Sequence, residues 1–549
     1  MRKRMIVWLT MCLMVVLALQ PLGAAAKTPQ QAQAPLPTIA GNVAGGGDVS
    51  ISGSIGSDPG GSPGTWYLGA TPPNVDYTKP VLLFVHGKGG WAGSWWNDTV
   101  YHGHNDMYDY AYNNGYRTAF VDLYPDHDMW DNGYLLSQLV NTITAYFGVS
   151  KVDIIAHSKG GVDSDAALYY YGANPKVRRV VTLGTPHWGT PIADMAYSGW
   201  TWWIAALMGE LNDATYVMQT GYMSSFRSWV DETQTAPFYT LSGYKCGPVG
   251  TALWYSCAFI GGEDDGLVGV NSAQRPSSTH LKLGYWDHDE IRMGSRTWSY
   301  FAPTIRYAST GATPAVAWAS DDLLAAANSK SDVTAGGKAA AFPNAILRGG
   351  STTGEAASAF PLENGVRSVT FTFVATSADF TATLNGPAGA SHTVTMQQQM
   401  GAADIFPGAY LGTVTVDAPA AGSWSIDTAA AQETGWFMMA GIDSDLKATL
   451  DVGTNTMAPG AARGLSIAFS GATPASSRAE AVVNGRDRQA IARAQFSKAG
   501  SLLRATVAPA GSGVHTASVT VTGTLPDGSS FERSLVKSFA TLAPGQTLK

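Results

Sequence analysis

The chain predicts an α/β protein: a mostly parallel sheet with helices on both faces, followed by two all-β regions. Three observations predict it. From about residue 65 to 306, short apolar runs alternate with helical stretches. One run, Lys151-Val-Asp-Ile-Ile-Ala156, is too short for a helix and turns sharply through His157-Ser158-Lys159-Gly160-Gly161 into a helical segment, Val162 to Tyr171. Beyond about residue 312, Ala, Ser, Thr, Gly and Val dominate and the apolar pattern alternates in strand fashion.

At 549 residues the chain is too long for one core. Met1 to Ala26 reads as a secretory leader: Arg2, Lys3 and Arg4 are charged, Met5 to Leu19 is apolar, and Ala24-Ala25-Ala26 offers a cleavage site. The apolar run is short for a membrane anchor, and no later stretch is long and apolar enough to span a bilayer. Export from the cell is therefore expected. The formal net charge of −7 argues against a nucleic-acid partner. Residues 27–64, rich in Pro, Gln, Gly and Ser, read as a flexible lead-in with a short edge strand at Val49 to Ile55.

The expected α/β unit spans 65–311. Its strands are Trp66 to Ala70, Val81 to Val85, Thr118 to Leu123, the run before Ser158, Val177 to Leu183, Phe238 to Ser242 and Ala258 to Ile260. Helices are expected at Met107 to Asn113 and at Tyr134 to Phe147, where Leu135, Leu139 and Ile143 share one side. Two β-sandwich domains are expected at 312–440 and 441–549. Their strands include Val366 to Val374, Leu411 to Val416, Leu502 to Val507, and His515 to Thr522 joined to Phe531 to Phe539 through a Pro-Asp-Gly turn. No chemistry is visible in them.

The turn at Ser158 puts a hydroxyl at the carboxyl end of a central strand, beside a helix N-terminus that favours developing negative charge. Ala156, Gly160 and Gly161 let strand and helix approach. Upstream stands Pro80-Val-Leu-Leu-Phe-Val-His-Gly-Lys-Gly-Gly90, and downstream Leu183-Gly-Thr-Pro-His-Trp-Gly-Thr190. Together, in this order, the three motifs resemble those of bacterial lipases of the α/β-hydrolase superfamily, with Ala156 in place of the usual first Gly of the elbow. The resemblance covers about residues 65–306. It implies a serine ester hydrolase in which Ser158 is the nucleophile.

Such chemistry needs a base and a carboxylate to orient it, in the chain order Ser, Asp or Glu, His. Asp265, in Asp-Gly-Leu-Val, resembles the acid loop, with Asp264 and Glu263 as neighbours able to replace it. His288, in Tyr285-Trp-Asp-His-Asp-Glu-Ile291, resembles the catalytic histidine, and His280 reads as a strand-edge residue. His86, His157 and His187 precede the acid and read as packing or hydrogen-bonding residues around the site. By resemblance, the backbone N–H groups of Lys88 and Lys159 form the oxyanion hole. Some lipases of this type hold calcium through an Asp two residues after the histidine. Here Asp289 follows directly, and neither metal nor cofactor is expected. His102, His104 and His127 lie in Asp-containing loops, a weak alternative metal site.

Cys12 falls in the leader. Cys246 and Cys257, in an exported chain, are expected to form a disulfide. Trp200, Trp203, Ile204, Leu207 and Leu211 recur at helical spacing, and Tyr216, Tyr222, Met223, Phe226 and Trp229 continue the apolar character. They are expected to form a cap over Ser158 that meets a lipid or polymer surface, the alternative being ordinary core. The expected function is an extracellular triacylglycerol lipase or carboxylesterase acting on a hydrophobic ester at an interface. The rivals are a polyester (polyhydroxyalkanoate) depolymerase and a non-catalytic adhesion protein.

Overall fold

A computed structural model describes residues 32–44, 62–200, 211–231, 235–307, 344–398, 408–487, 489–543, 546 and 548. The expected leader, the expected strand at 49–55, and Trp203, Ile204 and Leu207 of the expected cap lie outside them.

Eight strands form the central sheet: β1 (Thr38–Asn42), β2 (Thr65–Leu68), β3 (Val81–Val85), β4 (Thr118–Val121), β5 (Val152–His157), β6 (Val177–Leu183), β7 (Phe238–Gly243) and β8 (Thr279–Gly284). Their spatial order is β1-β2-β4-β3-β5-β6-β7-β8. From β4 to β8 every pairing is parallel, whereas β1 and β2 are antiparallel at one edge. Every residue of β3 and β5 is buried, as expected for strands covered on both faces.

Alternate residues feed the two faces. Leu82, Phe84, Phe120, Ile155 and Val181 pack with Tyr108, Trp298 and Phe301, which lie on helices α1 (Met107–Asn113) and α8 (Gly294–Phe301). Leu83, Val85, Val121, Ile154 and Ala156 pack with Leu135, Leu139 and Ile143 of helix α2 (Met129–Phe147) and with Ala167 of helix α3 (Lys159–Tyr169). Asp128 caps α2 by accepting the N–H groups of Trp130 and Asp131, so this helix starts earlier than its apolar face suggested. Four shorter helices follow: α4 (Pro191–Ala196), α5 (Asp213–Val217), α6 (Thr220–Val230) and α7 (Ala252–Cys257).

Residues 38–42, assigned to a flexible lead-in, are an edge strand paired with β2. The apolar run Ala258 to Ile260 is not a strand; it follows α7, and its apolar side chains face another partner. Phe259 and Ile260 join a cluster with Leu347, Phe437 and Met439, with the rings of Phe259 and Phe437 5.6 Å apart.

Beyond residue 344 all named elements but one short 3-10 turn are strands. The first all-β region is not a sandwich of two sheets. It is one antiparallel sheet that curls into a half-barrel around β9 (Ala345–Leu362) and β14 (Gly422–Asp443). These strands pair along almost their whole length. On its other edge β14 pairs first with β11 (Thr381–Asn385) and then with β10 (Ser368–Ala375). β12 (Ser391–Val394) and β13 (Tyr410–Asp417) add at the ends. The two halves therefore share one core, in which Trp424 and Ile426 meet Phe371 and Met438. β14 also runs past the boundary expected at residue 440.

The second all-β region has two four-stranded sheets. Leu465, Ile467 and Leu503 from one meet Val483, Val519 and Phe531 from the other in a common core. Its strand 530–541 lies against α4 and α6 of the α/β unit. Asp194 of α4 accepts hydrogen bonds from Thr220 of α6 and from Ser538, and the Gly221 N–H donates to Ser538 Oγ at 2.7 Å. Tyr216, Tyr222, Met223 and Phe226 are buried in this contact, with Val514, Ala540 and Leu542. The apolar face expected as a cap is thus covered by protein over these residues.

No helix among the described residues is long and apolar enough to cross a membrane. Cys246 and Cys257 are disulfide-bonded, joining the segment after β7 to the end of α7. Protein lacking residues 1–26, and with them Cys12, and purified without reductant should show no free thiol by titration. Reduction should cost about 2–3 kcal/mol of stability, the entropic value for so short a loop. Two reactive thiols in unreduced protein would exclude the bridge.

Candidate active site

Ser158 sits between β5 and α3 with φ +52 and ψ −133, an uncommon conformation for a residue with a Cβ. Surrounding contacts hold it there. Its N–H donates to Leu183 O at 3.0 Å, and its carbonyl accepts from Thr185 Oγ1 at 2.8 Å. So tight a turn needs glycine at two neighbours. A Cβ on Gly87 would lie 2.7 Å from Ser158 Cβ, and one on Gly160 would run into the His86 carbonyl. Strain concentrated at one exposed-edge hydroxyl is a mark of a functional position.

His288 and Asp265 meet beside it. His288 Nδ1 lies 2.9 Å from Asp265 Oδ2, with Nδ1–H as donor, and the His288 N–H donates to the Asp265 carbonyl at 2.8 Å. The other carboxylate oxygen, Asp265 Oδ1, accepts N–H groups from Leu267 at 3.0 Å and Val268 at 2.8 Å. Asp265 is fully buried, so these donors replace its water. Although no strand precedes it, Asp265 lies against the carboxyl end of β7: a Cβ on Gly243 would be 2.9 Å from Asp265 Cβ.

A cavity open to solvent is lined by Ser158, His288, Lys88 and Lys159, with Ile192, Ala193, Met218, Leu267 and Val268 supplying apolar wall. The side chain of Lys159 turns away into an ion pair with Asp163 at 2.6 Å, which leaves its main chain as the part beside Ser158. Burial pushes the Asp163 carboxyl up to about 6, against the pull of Lys159.

Three histidines surround the site in neutral form. His86 Nε2 accepts the Leu123 N–H at 2.9 Å and its Nδ1 lies 2.7 Å from Gly87 O, which fixes the loop before Lys88; burial lowers it to about 4. His157 Nε2–H donates to the His288 carbonyl at 2.9 Å, and burial holds its pKa well below the ordinary value. His187 is lowered to about 4, chiefly by burial. It lies 3.6 Å from Asp165, a buried carboxylate that also binds Arg227 and Arg275. His280 is on the edge strand β8, 3.0 Å from Thr240 Oγ1. His102, His104 and His127 each pair with a carboxylate, Asp287, Asp109 and Asp131 respectively.

Trp200 is half-buried in the cluster that contains Ile192, Met195 and Leu253, and is not among the cavity-lining residues. Sequence reasoning missed the wall residues Ile192, Met218 and Val268. It also missed Arg292, which lines the cavity and binds Asp289. Their apolar or charged character carried no signal of position.

The strand order, with a strained serine after the fifth strand, defines an α/β hydrolase. The lipase BlEst2 of Bacillus licheniformis in its propeptide form superposes with a TM-score of 0.67 and is 28% identical, covering 87% of this chain and 97% of that one. The same lipase in its mature form is 42% identical, covering 45% of this chain and all of that one, with a TM-score of 0.42. The chain belongs to the α/β-hydrolase superfamily and is a relative of this bacterial lipase. No family model matches the chain, and no curated protein does.

Proposed function

We propose that the protein is an exported serine ester hydrolase, a lipase or carboxylesterase, with Ser158, Asp265 and His288 as its triad. The observation that carries this reading is the His288 Nδ1–Asp265 Oδ2 contact of 2.9 Å at the wall of the cavity that holds Ser158. Asp265 fixes the imidazole tautomer, leaving Nε2 to take the proton of Ser158. Ser158 Oγ attacks the ester carbonyl, the N–H groups of Lys88 and Lys159 receive the oxyanion, and the alcohol leaves with the proton from His288. Water, activated by His288, then releases the acid from the acyl-enzyme. The apolar wall of Ile192, Met218, Leu267 and Val268 suits an acyl chain. The leader sequence and the disulfide support export.

The two all-β regions are read as a propeptide. The relative exists in forms named propeptide and mature, and the mature form matches a share of this chain about the size of the α/β unit. Strand 530–541 rests on α4 and α6; Ile192 and Ala193 of α4, and Met218 just before α6, line the cavity. The test is turnover, before and after limited proteolysis, of p-nitrophenyl esters of rising chain length, an emulsified triglyceride and a polyhydroxyalkanoate film. Esters and triglyceride should be hydrolysed, and more rapidly once the β regions are gone. Hydrolysis of the film alone would assign a depolymerase. No hydrolysis of any substrate in either state would refute the reading.

A further inference from the structure

Three carboxylates crowd around His288. Asp287 is fully buried, and Asp289 and Glu290 are nearly so. Buried charges of one sign on adjacent residues are costly unless each is matched. Asp289 is matched by Arg292 at 2.5 Å and by the Tyr101 N–H at 2.9 Å. The other two share the Lys245 ammonium. His102 Nε2 lies 2.8 Å from Asp287 Oδ2, and Lys245 Nζ lies 3.4 Å from the same oxygen and 2.5 Å from Glu290 Oε2. Arg296 reaches Glu290 Oε1 at 3.0 Å. These three carboxylate and imidazole groups, His102, Asp287 and Glu290, are close enough to hold a cation among them; the Lys245 ammonium supplies one.

Asp287 has a second task. Its Oδ1 accepts the N–H groups of Asp289 at 3.1 Å and Glu290 at 2.8 Å, folding the backbone immediately after His288. Orientation of Asp287 therefore fixes the direction in which His288 leaves the chain. Lys245 is itself held. Its N–H donates to Trp286 O at 3.2 Å, and the next residue, Cys246, is bonded to Cys257.

We propose that Lys245 and His102 are positioning residues for His288, acting through Asp287 and Glu290. The inference rests on His288 being the base of the reading above. Neither Lys245 nor His102 lines the cavity, so they act on the imidazole and not on bound substrate. Without the ammonium, Asp287 and Glu290 repel, Asp287 turns or takes up a proton, and the backbone after His288 loses its cap. A displacement of about 1 Å at the imidazole is enough for a loss of about 10²-fold.

The test compares Lys245→Met, Lys245→Arg and His102→Ala with wild type on a soluble short-chain p-nitrophenyl ester. Lys245→Met should lower kcat by about 10²-fold with KM within about threefold, and should slow phosphonate labelling of Ser158 in parallel. Lys245→Arg should recover most of kcat, because the positive charge returns. His102→Ala should lower kcat by about tenfold at unchanged KM, and it carries the test if Lys245→Met does not fold. Wild-type kcat in a folded Lys245→Met or His102→Ala protein would overturn the proposal. So would a kcat loss that merely follows the folded fraction and is not recovered by arginine. Failure of the wild type to label at Ser158 would instead overturn the triad, which keeps the two failures apart.

Discussion

Replacing Ser158 with alanine should lower kcat by about 10³-fold or more while leaving the protein folded, because members of a catalytic triad act as a unit. The hydroxyl makes no contribution to the turn that alanine would remove: the turn is held by the Ser158 N–H on Leu183 O and by Thr185 Oγ1 on the Ser158 carbonyl. Alanine keeps the Cβ, so it also keeps the strain of φ +52. Ser158→Gly should be equally inactive yet more stable, by about 1 kcal/mol, since glycine adopts that conformation without cost. Three measurements check this: kcat on a soluble ester, melting temperatures of the pair, and the site of a phosphonate adduct on the wild type. An adduct on another serine, or an alanine variant within tenfold of wild type, would remove Ser158 from the role of nucleophile.

The elbow was legible because its chemistry constrains neighbours in sequence. A serine held between strand and helix needs small residues two positions before it and two and three positions on, here Ala156, Gly160 and Gly161, and the approach of Gly160 to the His86 carbonyl shows the reason. The parallel sheet was legible because β3 and β5 are buried on both faces: β3 reads as an unbroken apolar run, and β5 is apolar apart from Asp153 and His157. What the chain does not display is which distant segments meet. Ala258-Phe259-Ile260 is apolar because it faces Phe437 and Met439, not because it is a strand. The half-barrel was hidden for a related reason. Period-two alternation marks Trp424 to Asp427 as strand, but does not say that the strand continues to Asp443 and serves two different neighbours along one edge. Tyr216, Tyr222 and Phe226 show an apolar helix face in the sequence; that Val514 and Ala540 cover it is a non-local fact. Lys245 carried no signal, since a lysine after a strand is ordinarily solvated and its two carboxylate partners lie beyond the acid loop.

Asp265→Asn should lower kcat by about 10³- to 10⁴-fold, whereas Asp264→Asn should leave it within about threefold. The two side chains differ in what they touch. Asp265 Oδ1 accepts two backbone N–H groups and Oδ2 accepts His288 Nδ1–H. An asparagine there would keep its oxygen on the two N–H groups and turn its own NH₂ toward His288. Nδ1 would then have to become an acceptor, moving the proton to Nε2, the tautomer that cannot receive the proton of Ser158. Asp264 Oδ1 instead accepts the Gly266 N–H at 2.8 Å, with the Cys257 sulfur 2.8 Å away, and asparagine preserves the accepted bond. Burial, together with the charge of Asp265, pushes the Asp264 carboxyl up to about 7. Between its ordinary range near 3.8 and about 7, the native state holds a proton that the unfolded chain has released, so stability falls as pH rises through that window and stays lower above it. Asp264→Asn should therefore be more stable than wild type at pH 8 and gain nothing at pH 3, as read by denaturant unfolding at the two pH values. If instead Asp264→Asn lost activity and Asp265→Asn kept it, Asp264 would be the acid that orients His288.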